Sequence, residues 1–190
     1  MSQTVLFVVI VAVVVVVAAL AWYAGQRRRR EELRDQFGPE YDRAVRDSGS
    51  EREAQRELAD RRERVAQLRI RDLDPRERER FSSEWSRAQA RFVDEPRAAV
   101  TDADRLVTEV MQSRGYPMGD FDQRAADVSV GHPTVVDHYR AAHEIAQRSD
   151  ADTEALREAM VHERALFADL LGEPQRPASD VPAGRMEGAR

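Results

Sequence analysis

VLFVVIVAVVVVVAALAWYA fills residues 5–24, and the first charges in the chain follow directly in GQRRRR at 25–30. At about 1.5 Å per residue a helix over 5–24 is about 30 Å long, the thickness of the hydrocarbon core of a bilayer. Nine Val with Leu6, Phe7, Ile10 and Leu20 supply the apolar weight. Together they correspond to an insertion free energy of about −4 to −8 kcal/mol. Valine is a poor helix former in water because its branched Cβ loses rotamers. In lipid the backbone has no water to bond, so helix is the conformation left to it. Trp22 and Tyr23 close the run, where amphipathic rings settle in the headgroup layer as interfacial anchors.

Arg27, Arg28, Arg29 and Arg30 form a dense collar behind the run, while residues 1–4 carry no charged side chain. The positive-inside rule then predicts the N-terminus outside, and the C-terminal bulk in the cytoplasm of a cell whose plasma membrane the chain crosses once. The alternative is a secreted protein with a cleaved signal peptide, for which 19–24 offer small residues. A signal peptide places its positive charge before a shorter apolar core of about 7–15 residues. Here the run is longer and the charge comes after it, so a retained anchor is expected.

Beyond the anchor the composition changes. The chain has 190 residues, 35 acids, 30 basic residues that are all Arg, 4 His, no Lys, no Asn and no Cys. Residues 31–190 hold 26 Arg against the 35 acids, a formal −9, so an acidic region is attached through a basic collar. The absence of Cys excludes a disulfide scaffold, a Cys-ligated zinc site and a cysteine nucleophile. Without Lys there is no P-loop and no Lys Schiff base. The acidic balance argues against nucleic acid as a partner. Arg is abundant at 52–80, but Glu and Asp interleave it and make a solvated face.

Helix signals cover 37–171. Residues 31–36 extend the anchor helix until Phe37-Gly38-Pro39 breaks it, and Pro39 suits the first turn of a short helix through Val45. Ser48-Gly49-Ser50 is a turn. Ser50 with Glu53 predicts a capping box, opening a helix to about Leu68. Ala54, Leu58, Val65 and Leu68 fall at heptad spacing with Arg61 at the missing position, a coiled-coil-like seam. Glu57/Arg61 and Asp60/Arg64 are favourable i,i+4 pairs. Asp74-Pro75 with Glu77 starts the next helix, with Phe81, Trp85, Ala88 and Phe92 as its apolar stripe. The stripe resumes in phase after Pro96. That is either one kinked helix over 75–114 or two, and the cost of an interior proline, about 3 kcal/mol, favours two. Gly115 is placed as a left-handed cap. Asp120 with Gln123 opens a short helix, Gly131-His132-Pro133 turns, and a helix with Val135, Val136, Tyr139, Ala142 and Ile145 inward follows. Thr153 is expected to cap the last helix, whose face is Leu156, Met160, Phe167, Leu170 and Leu171.

The sequence thus predicts an all-α protein with no strand signal after the anchor. Its parts are an external N-terminus at 1–4, a transmembrane helix at 5–24 and a basic juxtamembrane collar at 25–36. A soluble bundle of about five to seven helices follows at 37–171. A Pro-, Gly- and Ala-rich tail at 172–190 lacks an apolar period and reads as disordered.

FGPEYDRAV at 37–45, IRDLDPRERERF at 70–81, RGYPMGDFDQRAADVSVGHPTVVDHYRAAHEIA at 114–146 and LREAMVHERALFADLL at 156–171 carry a resemblance. Over most of residues 33–171 the chain resembles an uncharacterised family of single-pass membrane proteins from high-GC bacteria, often labelled "secreted". The resemblance implies a bacterial, membrane-anchored helical protein and assigns no chemistry to any residue. It places an aromatic at the position of Glu163, and so implies no role for that carboxylate. A GC-rich origin also accounts for the missing Lys and Asn.

Candidate chemistry is sparse. His143 is expected to approach His162 if the last two long helices pack antiparallel. That would be a conceivable metal site with Glu144, Glu158 or Glu163, but neither His belongs to a Glu-x-x-His or His-Glu-x-x-His motif. No Gly-x-Ser-x-Gly is present, and no nucleophile, base and oxyanion group converge, so no catalytic, cofactor or metal residue is assigned. The candidate site is the membrane collar Arg27–Arg30 with its anchors Trp22 and Tyr23. Its expected partners are the bilayer, anionic lipid headgroups and a protein partner or second copy. The reading is a non-enzymatic interaction or scaffold module held at the membrane; the alternative is a ligand-sensing or metal-binding bundle.

Overall fold

A computed structural model of the protein describes residues 3–172. The tail at 173–190 and residues 1–2 lie outside the described residues. Among these residues the protein is all-helical, with eight helices and no strand. Contacts group the chain into two compact units, residues 1–67 with 126–134 and residues 68–125 with 135–190.

The first unit starts on α1, Gln3–Phe37, a single helix of 35 residues. Within it, 11–37 is long and apolar enough to cross a membrane, and its most apolar 18-residue window is not buried among the described residues. The helix does not end where its hydropathy changes. It runs through the arginines to Leu33 and Phe37, which are buried. It stops at Gly38, whose φ of +47° is open to glycine and strained for other residues. Pro39 then occupies the first turn of α2, Pro39–Ser48. After Gly49 comes α3, Glu51–Ala66.

Leu33 and Phe37 of α1, Tyr41 and Ala44 of α2, and Ala54 and Leu58 of α3 form one apolar cluster. Arg61, at the gap in the heptad, donates to the buried Glu40 carboxylate at 2.7 Å and also pairs with Glu57. Arg64 does not bond Asp60. Its Nε donates at 3.0 Å to Asp127, a fully buried carboxylate. The reach of an arginine side chain lets a distant buried acid outcompete an exposed neighbour one turn away. The expected Ser50–Glu53 box does not form either: Ser50 sits at the cap position but its side chain makes no capping bond. The hydroxyl that works at this turn is that of Ser48, which donates to Ala44 O at 2.7 Å and Ser50 O at 3.1 Å.

The second unit contains α4, Pro75–Arg91; α5, Pro96–Arg114; α7, Val136–Gln147; and α8, Thr153–Leu171. α6, Phe121–Gly131, spans residues of both units. Residues 75–114 are two helices, broken at 92–95 with Pro96 in a first turn where its missing N–H costs nothing. Asp74 forms the complete capping box: its carboxylate accepts from Arg76 N and Glu77 N, and Glu77 accepts from Asp74 N. At α8 the cap is Asp152, which accepts from Ala155 N at 2.8 Å, and not Thr153, which lies one residue inside the helix. Asp caps better than Thr and adds a negative charge at the positive end of the helix.

α5 packs on α4 and α8, and α7 packs on α8. Phe81 and Trp85 are buried, with Trp85 stacked on Phe167 at 4.5 Å. Arg114 ties the ends together, donating through Nη1 to Leu170 O at 2.9 Å and through Nε to Arg71 O at 3.2 Å. Gly115 beside it has φ +97°, and a Cβ there would lie 2.6 Å from Arg69 O. Gly172 also has a positive φ but faces open space. Gly115→Ala is therefore expected to destabilise the protein by at least about 1 kcal/mol in denaturant unfolding, and by clearly more than Gly172→Ala. Equal costs would mean that the close approach of Arg69 has no energetic weight.

Candidate functional site

Trp22 and Tyr23 stand out from α1, 70% and 65% exposed. One turn further, the collar divides. Arg27 donates to Glu31 Oε1 at 3.1 Å, and Arg30 reaches across to Glu51 of α3. Arg28 and Arg29 are exposed and make no ion pair among the described residues. The structure gathers Trp22, Tyr23, Arg27 and Arg30 with Glu31 and Arg34 along one face of α1. Opposite them stand Glu51, Arg52 and Gln55 from the start of α3, enclosing a groove of about 540 Å3. Arg28 and Arg29 do not line it. The α3 wall was not visible in the sequence, because Arg52 and Gln55 lie more than 20 residues beyond the collar. The helical spacing of Tyr23, Arg27, Arg30 and Arg34 was a signal that could have marked the α1 wall.

A second constellation lies inside the second unit. Glu163 occupies the gap in the apolar face of α8 between Met160 and Phe167 and is only 1% exposed. Its Oε2, and Oδ1 of Asp104 on α5, are buried without a hydrogen-bond partner. Burial raises the Glu163 pKa well above the usual carboxylate value, and the Asp104 charge adds to the rise. Burial also raises Asp104, against the opposing pull of His143 and Arg124. Arg124 donates to the Tyr139 hydroxyl at 3.2 Å, and Tyr139 is itself raised by burial. His143 lies flat on Phe121, with ring centroids 3.6 Å apart. Burial and the neighbouring Asp104 favour the protonated form of Glu163 in an otherwise apolar interior. Sequence reasoning named Glu163 only as a possible companion of His143 and His162, because its meeting with Asp104 joins segments about 60 residues apart.

His143 does not meet His162. Its ring is committed to Phe121, and His138 faces His162 instead, Nδ1 to Nδ1 at 2.8 Å. Burying Tyr139 and Ala142 turns that side of α7 toward α8. One ring of the pair must donate and the other accept, so the contact holds only while at least one is neutral. Burial lowers the His162 pKa, His138 lowers it further, and Glu158 at 3.8 Å opposes both. No group of three or more His, Asp or Glu among the described residues is placed to hold a metal ion.

Comparison with known proteins gives no match: no family, no curated protein and no solved structure.

The buried carboxylate has a definite pH signature. The folded-state pKa of Glu163 lies above its unfolded value, so its contribution to stability is complete below the usual carboxylate pKa. That contribution is lost as pH rises through the raised value. Unfolding free energy of the wild type is expected to fall as pH increases from about 4.5 upward. Glu163→Gln, which cannot ionise, is expected to flatten this part of the profile and to be the more stable form at pH 8. A parallel pair of profiles would show that Glu163 does not titrate between the two states.

Proposed function

We propose that this chain is a single-pass membrane protein whose helical units lie at the cytoplasmic face of the plasma membrane and act as an interaction or scaffold module. The observation that supports this best is the apolar surface of α1. Val13 to Val17, Leu20, Trp22 and Tyr23 are each more than half exposed among the described residues. In water so large an apolar surface is unfavourable, and a bilayer removes the cost. The aromatic pair followed by four arginines orients the helix with its C-terminal end inside.

The mechanism is localisation. Confinement to a membrane surface raises the effective concentration of the module for partners held on the same surface. Because α1 continues unbroken into Leu33 and Phe37, the first unit is carried on a rigid stalk at a set distance from Tyr23. A flexible linker would leave that distance free.

The chain has no cysteine, so single cysteines report topology cleanly. With a membrane-impermeant maleimide, Ser2→Cys is expected to label in intact cells and Ser149→Cys only after lysis. The reverse pattern contradicts the orientation, and labelling of both in intact cells contradicts the anchor. Crosslinking in native membranes before mild detergent extraction tests the interaction half. Recovery of the protein alone with crosslinkers of several lengths contradicts it.

A further inference from the structure

We propose that the groove between α1 and α3 binds the phosphate-bearing headgroup of an anionic phospholipid in the leaflet where α1 leaves the bilayer. The inference rests on the reading of α1 as a membrane span and names a ligand for the collar. Tyr23, Arg27, Arg30 and Arg34 recur at intervals of four, three and four, which puts them on one face of α1, the face that lines the groove. Arg27 is about 6 Å past Tyr23 along the helix axis and Arg30 about 10 Å past it. Those depths correspond to the headgroup layer and its outer edge.

The groove is positively charged where the rest of the chain is not. Four arginines, with Arg52 from α3, face the two acids Glu31 and Glu51. Residues 31–190 as a whole carry a formal −9. Arg27 and Arg30 hold their acids through single, exposed ion pairs, which anionic phosphate can displace. Arg52 makes no ion pair among the described residues. The guanidinium fork suits bidentate contact with a phosphate, and Gln55 adds an amide donor. The volume, about 540 Å3, is that of a small-molecule site. A headgroup seated there touches both helices, so it joins α3 to the membrane surface as well as α1.

The test uses the full chain reconstituted in phosphatidylcholine bilayers with spin-labelled phosphatidylglycerol or spin-labelled phosphatidylcholine. It reads the lipid fraction immobilised by the protein. The wild type is expected to immobilise phosphatidylglycerol in preference. Arg52→Gln is expected to reduce that preference by about fivefold, the effect of one arginine near an anionic surface. Arg62→Gln, exposed on the same helix outside the groove, is expected to leave it unchanged. A preference that survives Arg52→Gln but is lost in Arg28→Gln/Arg29→Gln overturns the groove in favour of diffuse attraction by the collar. Equal immobilisation of the two lipids also overturns it while the anchor stands. No immobilised lipid of either kind overturns both.

Discussion

The apolar surface of α1 is exposed among the described residues, and the organisation of the first unit follows from where that surface ends. In the proposed membrane placement, the unbroken helix past Tyr23 keeps its backbone groups paired at the edge of the apolar phase. It continues through the arginines for another four turns before Gly38 releases it. By then Leu33 and Phe37 have entered a water-excluded cluster with Tyr41, Ala44, Ala54 and Leu58. In the proposed placement one helix serves two solvents, with Arg27–Arg30 at the change. Arg30, one of the four collar arginines, also pairs with Glu51 of α3.

Both units place carboxylates where water does not reach, and they treat them differently. In the first unit Glu40 and Asp127 are answered by Arg61 and Arg64, long side chains anchored on α3 with their heads turned inward. A buried acid bonded to a guanidinium fixes the position of the helix that carries it. In the second unit Glu163 has burial and the neighbouring Asp104 against it, and the proton is the cheaper neutraliser. The first arrangement gives α2 and α3 a specific register. The second leaves a carboxyl of raised pKa in the α5–α8 contact.

Much of the architecture was legible in local sequence. Pro39, Pro75 and Pro96 each mark a first turn because proline fixes φ, Gly38 marks the break after α1, and Gly115 marks a left-handed cap because glycine tolerates positive φ. The apolar stripes of α4, α5, α7 and α8 fall inward as their spacing requires. Capping was less legible: Ser50 fits the pattern yet its side chain makes no capping bond, and Asp152 rather than Thr153 caps α8, since neighbouring polar residues compete for the same backbone groups. The sites were legible only where they are local. Trp22, Tyr23 and the arginines stand out in one short stretch. Arg52 in the groove, Asp127 beside Arg64 and His138 beside His162 depend on tertiary contacts between distant segments, which helical periodicity does not encode.

The central claim is that α1 lies in lipid. Alkaline carbonate extraction of membranes from cells making the full chain tests it directly, because high pH strips proteins held by charge and leaves those held by an apolar span. The protein is expected in the pellet, and deletion of residues 1–25 is expected to move it to the supernatant. Release of the full chain into the supernatant would contradict the account.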